Sequence, residues 1–202
     1  MTWHLEPADN GDDSLDMAAS FRRVTGGAAA YFEQAQAGVI RSLVSQIAEL
    51  VSADSTAAEV AETGAGSDAL EAQLGLSNHA EPPDDPVLAR LLPDGYTDDP
   101  EASAEFRRYT EESLRTAKVA AAQTVLASLP SVGGDVRLSE MECQQWLRAL
   151  NDVRLALSVR LGITDENEDL SEQLAADDPR SAYIWVYQWL AYLQDSLIEA
   201  LS

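Results

Sequence analysis

The chain has 202 residues, which suits one domain with a long tail, and its 46% hydrophobic and 24% charged residues match ordinary globular usage, so a core can form. The charge is unusual: 35 acidic residues against 13 basic ones give a net charge of −22, which repels phosphate and anionic lipid and argues against direct binding to nucleic acid or membrane. The N-terminus lacks the features of a signal peptide and no apolar run spans a bilayer, so a cytoplasmic protein is expected, while Cys143, the only cysteine, excludes an intrachain disulfide and any multi-cysteine metal site.

The acids are unevenly placed. Residues 1–20 hold five acids and no base, and residues 54–85 hold eight acids and no base. Both stretches bury too little apolar surface to offset the entropy of ordering. Residues 1–20 read as a disordered tail. Residues 54–84 read as a flexible linker, with a short capped helix over 67–74 ending at Gly75. The segments 21–53 and 85–202 are expected to pack together as one domain.

Between tail and linker, Phe21–Val24, Thr25-Gly26-Gly27 and Ala28–Phe32 resemble a small hairpin around a Gly-Gly turn. Val39, Ile40, Leu43, Val44, Ile47, Leu50 and Val51 then recur on one helical face, predicting a helix over about 35–53. Asp85 as N-cap, Pro86 at N1 and Pro93 as a stop mark a short helix, followed by the turn Asp94-Gly95-Tyr96. Asp99-Pro100 opens a long helix to about Leu129, with apolar positions that include Phe106, Tyr109, Leu114, Val119 and Val125. After a loop, Val136-Arg137-Leu138 reads as a short strand. The capping box Ser139–Glu142 starts a helix that Gly162 ends. An exposed loop over 163–180 leads to a last helix over 181–201. The fold class is mainly α: a helical bundle of about four main helices, with the N-terminal β-hairpin as an appendage.

No motif points to catalysis. His4 and His79 both lie in the acidic stretches, without partners at useful spacing, and there is no GxSxG, HExxH or phosphate-binding glycine loop. No cofactor or metal is implied, and a non-enzymatic protein is expected. On the 100–129 helix, Glu101, Glu105, Arg107, Arg108, Glu111, Glu112, Arg115 and Lys118 read as an ion-paired solvent face, or else as a surface that docks a partner protein. Asn151, Asp152 and Arg154 interrupt a strongly apolar helix, so Asp152 is expected to pair with Arg148, Arg107 or Arg108 in a buried network. The last helix is apolar nearly all round, as expected of a central helix or a homodimer interface. Cys143 lies in the first turn of its helix, where the dipole favours a thiolate and Glu140 and Glu142 oppose it. It reads as an inert thiol, with a redox sensor as the weaker alternative.

Several strings resemble a known family. Asp85 to Tyr96, Asp99-Pro100, Glu105 to Thr110, Leu114-Arg115 with Lys118, Trp146 to Leu157, Arg160-Leu161-Gly162, and Tyr192-Leu193-Gln194 with Leu197 are similar to an actinobacterial family of domains of unknown function, typically encoded beside the ClpS adaptor, that includes the actinomycete oxidative-stress regulators. The resemblance covers residues 21–53 and 85–202. It implies a regulator that forms a disulfide through a CxxxC motif and engages a sigma factor of RNA polymerase. This chain has no CxxxC, so the disulfide is not carried over. The protein-binding role is. Arg90, Tyr96, Arg107, Arg108, Asn151, Asp152 and Arg154 are the candidate residues, in a shared network or docking surface. An accessory role in Clp-type proteolysis and a small-molecule-binding helical domain are the alternatives.

Overall fold

A computed structural model of the chain describes residues 19–61, 81–164, 178 and 180–202. Residues 1–18 of the expected tail, the 67–74 helix, His4, His79 and most of the 163–180 loop lie outside the described residues, while Ala19, assigned to the tail, is buried in the core.

Strands β1 (Arg22–Val24) and β2 (Gly27–Phe32) form the expected hairpin, joined by Thr25-Gly26. Gly26 has φ 83°, a left-handed conformation that glycine adopts without steric cost. The hairpin is not an appendage. Strand β3 (Gly134–Ser139) pairs antiparallel with β2, Ala28 facing Leu138 and Ala30 facing Val136, so the sheet has three strands in the order β1-β2-β3. At Gly27 a Cβ would stand 2.0 Å from the Leu138 carbonyl oxygen, so only glycine admits this approach. The inner sheet face buries Ala28, Ala30, Phe32, Val136 and Leu138.

Among the described residues there are five helices, one more than the four main helices expected because the short one counts too. Helix α1 (Gln34–Ala61) buries Ile40, Leu43, Val44, Ile47, Leu50 and Val51, the stripe its spacing predicts, but runs eight residues past the expected end. Helix α2 (Pro86–Leu91) is capped by Asp85, whose carboxylate accepts from the Val87 and Leu88 amides at 2.7 and 3.3 Å. Asp99 caps α3 (Pro100–Ser128) in the same way. Helix α4 (Glu140–Leu161) opens on the predicted Ser139–Glu142 box and closes on Gly162 at φ 67°. Helix α5 (Ser181–Leu201) buries Ile184, Val186, Trp189, Leu190, Leu193 and Leu197, leaving Tyr192 and Ile198 exposed.

Trp146 of α4 links sheet to helices. Its ring stacks on Phe32 at 5.8 Å and meets Phe21 edge-on at 5.5 Å, while its indole N–H donates to Ser128 at 2.8 Å. The Phe21 amide donates to Ser196 of α5 at 3.0 Å. One hydrophobic cluster runs through the inner sheet face and all five helices.

Candidate functional site

Helix α3 changes character half-way along. Its second half buries Ala121, Ala122 and Val125. Its first half buries Ser103, Arg107, Glu111 and Arg115, at four-residue spacing on the inner side. The charged side chains expected to face solvent are thus partly reversed: Arg107, Glu111 and Arg115 lie inside. Glu111, 2% exposed, is the centre. It accepts from Arg107 Nη1 at 2.7 Å and from Arg115 Nε and Nη2 at 2.9 and 2.7 Å. Both Nη atoms of Arg107 also donate to the Leu92 carbonyl at 3.2 Å, and Nη2 reaches Asp94 at 2.7 Å. Arg115 Nη1 donates to the Val51 carbonyl at 2.8 Å. The triad therefore ties α3 to the exit of α2 and to α1. Burial works against the Arg107 cation, but Glu111 and Asp94 outweigh it, and its pKa lies above the ordinary arginine value. Arg107 Nε is buried without a partner.

The aromatics of this half face outward. Phe106 is 44% exposed, Tyr109 62% and Tyr96, in the turn before the helix, 52%, with Leu114 also exposed. Tyr96 meets Phe106 edge-on at 6.0 Å. The turn is fixed to α3 by Ser103, whose hydroxyl donates to the Tyr96 carbonyl at 2.7 Å and accepts from the Tyr96 amide at 3.0 Å. At Gly95 a Cβ would stand 2.7 Å from the Phe106 ring, so a larger residue there would have to displace that ring. Over residues 94–112 of the chain, Arg108 is exposed and so are the acids Asp94, Asp98, Asp99, Glu101, Glu105 and Glu112.

Asp152 does not pair with an arginine. Its carboxylate bonds Lys118 of α3, the sole lysine, at 2.6 Å. Burial raises the Asp152 pKa and Lys118 only partly offsets this. The other candidates gather elsewhere. A shallow cleft of about 160 Å³ is lined by Arg90 of α2, Asn151, Arg154, Leu155 and Ser158 of α4, Ile163 and Thr164 beyond it, and Tyr187 of α5. The seven candidate residues thus occupy three places: Tyr96, Arg107 and Arg108 at the start of α3, Asp152 between α3 and α4, and Arg90, Asn151 and Arg154 in the cleft. Sequence reasoning missed Glu111 and Arg115 as interior groups and Lys118 as the partner of Asp152. The available signal was phase, since 107, 111 and 115 lead by helical steps into Lys118, Ala122 and Val125.

Cys143 is fully buried, and desolvation raises its pKa, with an Ala28 backbone hydrogen bond opposing and the Glu142 charge assisting. The helix dipole does not win here, and both facts work against thiolate chemistry. Among the described residues no group of three or more His, Cys, Asp or Glu side chains could hold a metal ion, and no helix is long and apolar enough to cross a membrane.

The family described as "Domain of unknown function (DUF2017)" matches residues 17–201. The chain belongs to this family. It is 38% identical over 154 residues to the oxidative stress regulator AosR of Mycobacterium tuberculosis (strain ATCC 25618 / H37Rv), an alignment covering 69% of each chain. The putative oxidative stress regulator AosR of Mycobacterium leprae (strain TN) is 38% identical over 154 residues, covering 69% of this chain and 70% of that one. These DUF2017 relatives are named as regulators, not enzymes, in agreement with the expected non-catalytic role and with the resemblance seen in the sequence strings. No solved structure matches the chain.

Proposed function

We propose that this DUF2017 chain is a stress-linked, non-catalytic regulator that acts by binding another protein, a sigma factor or RNA polymerase, through the aromatic face at the start of α3. The observation that carries this reading is the outward display of Tyr96, Phe106 and Tyr109 on a helix whose inner side is pinned by buried ion pairs. Exposed aromatics on a fixed scaffold are the usual anchors of an interface. Six exposed acids against one exposed arginine, Arg108, lie in the same stretch of chain, 94–112, so the surface that matches it is apolar with basic groups. Regulation does not run through an intrachain disulfide, because Cys143 has no second cysteine to meet.

Affinity purification of the tagged protein from its native cell tests this. The expected result is recovery of a sigma factor or polymerase subunits with the wild type, and their loss with Phe106→Ala/Tyr109→Ala. Two anchors worth about 2 kcal/mol each lower affinity roughly thirtyfold apiece. Recovery of Clp components instead would support the proteolysis alternative, and recovery unchanged by the double substitution would reject this face.

A further inference from the structure

We propose that the cleft between α2, α4 and α5 is a binding site for a small oxyanion, a phosphate- or carboxylate-bearing metabolite, separate from the aromatic face and using none of its residues. The first ground is charge. In a chain with 35 acids and 13 bases, this cleft is lined by two arginines and, among the described residues, by no acid. The charges an anion would meet in this described lining are the two guanidiniums.

The second ground is organisation. Arg154 Nη1 donates to Gln194 Oε1 at 2.7 Å, and the Gln194 amide donates to the Leu147 carbonyl at 3.2 Å, so the acceptor is itself held in orientation. The guanidinium lies over the Tyr187 ring, 5.0 Å from its centroid. These contacts hold one end of the fork and one face. They leave Nη2 without a hydrogen bond among the described residues, while Nε is buried out of reach of the cleft. Nη2 is therefore the Arg154 donor open to a ligand oxygen, through one charge-assisted N–H bond. Arg90 and Asn151 are exposed at the cleft and make no hydrogen bond or ion pair among the described residues, so a second guanidinium and an amide are free to close on the same ligand. The volume, about 160 Å³, suits one oxyanion group with a small organic remainder, not a polymer.

Titration of the full chain with inorganic phosphate, and separately with malonate, tests this at constant ionic strength with chloride as the reference, read by calorimetry and amide chemical shifts. The expected result is saturable binding of at least one anion, with shifts confined to 151–158, 187–194 and the neighbourhood of Arg90. Affinity should fall at least tenfold in Arg90→Gln and in Arg154→Gln, and stay unchanged in Arg137→Gln, an exposed arginine outside the cleft. Arg90 makes no contact that the fold uses, so its variant keeps the test valid even where Arg154→Gln unfolds. Shifts no larger than chloride produces, or binding equal in Arg90→Gln, would mean an adventitious ion only and overturn the site. Binding of an acidic peptide that phosphate and malonate fail to displace would overturn it in favour of a protein ligand.

Discussion

Replacing Glu111 by glutamine removes a negative charge that two buried guanidiniums share. Three charge-assisted hydrogen bonds of 2.7–2.9 Å converge on its carboxylate, from Arg107 and from Arg115. Both arginines are about 95% buried, and neither reaches water freely once the carboxylate is gone. Breaking a buried ion network by removing one partner costs about 3–5 kcal/mol, because buried charge is left with its compensation reduced. That is a large share of a total stability of roughly 5–15 kcal/mol. For a chain of this length each kcal/mol corresponds to about 2–4 °C, so the melting midpoint should fall by roughly 6–20 °C. Urea and thermal denaturation followed by circular dichroism read this directly. Glu112, exposed and next in sequence, supplies the control: Glu112→Ala should stay within about 0.5 kcal/mol. If Glu111→Gln costs no more than Glu112→Ala, the charges of α3 are solvated and the reversed first half of the helix is wrong.

Gly27→Ala should destabilise by more than about 1 kcal/mol, because the new Cβ meets the Leu138 backbone and β3 must shift; amide exchange in β2 and β3 should rise first. The raised pKa of Asp152 means the folded state holds its proton more tightly than the unfolded chain does. Its contribution to stability is therefore fully present near and below the ordinary carboxyl pKa of about 4 and is lost as pH rises through the raised folded value. A pH series of denaturation midpoints should show this loss in the wild type and not in Asp152→Asn; identical slopes would refute it. The Cys143 thiol should react with a soluble alkylating reagent on the order of a hundredfold more slowly in the folded than in the unfolded protein, since access needs openings of about 3 kcal/mol. Rapid labelling of the native protein would restore Cys143 as a redox candidate.

What the sequence reveals and what it conceals divides along physical lines. Local signals are legible: the stripe from Val39 to Val51, the caps Asp85 and Asp99, the Ser139–Glu142 box and Gly162 all sit where residue chemistry places them. Pairing is not local. Val136-Arg137-Leu138 is recognisable as a strand, but its partner is β2, more than a hundred residues earlier, and nothing in either segment announces the match. Charge misleads on α3, because a run of Glu and Arg ordinarily faces water. The expected arginine partner of Asp152 rests on nearness in sequence for Arg148. Lys118 becomes its neighbour only when α3 and α4 pack. The cleft is the same kind of case: Arg90 and Arg154 are visible as polar residues in apolar surroundings, but Tyr187 and Gln194, which orient Arg154, come from a different helix.

The buried triad also bears on why the aromatics are outside. An ion triad is a weak source of stability compared with apolar side chains of similar volume, so burying Phe106 and Tyr109 in its place would satisfy the core at least as well. What the triad supplies is a fixed rotation. Arg107 is bonded to the Leu92 carbonyl and Asp94, and Arg115 to the Val51 carbonyl, so the inner side of α3 is specified by bonds at both ends. A slip of one residue turns the helix by about 100° and breaks all of them. The combined variant Arg107→Met/Glu111→Leu/Arg115→Leu should therefore remain folded within about 2 kcal/mol of the wild type, yet lose the single orientation of its first half. Amide and aromatic resonances from Tyr96 to Leu114 should broaden or double, and the Tyr96–Phe106 proximity should weaken. Partner capture should fall with them. A variant with sharp signals, an intact Tyr96–Phe106 contact and unchanged capture would show that packing alone sets the rotation of α3 and that the ion pairs have no part in presenting its outer face.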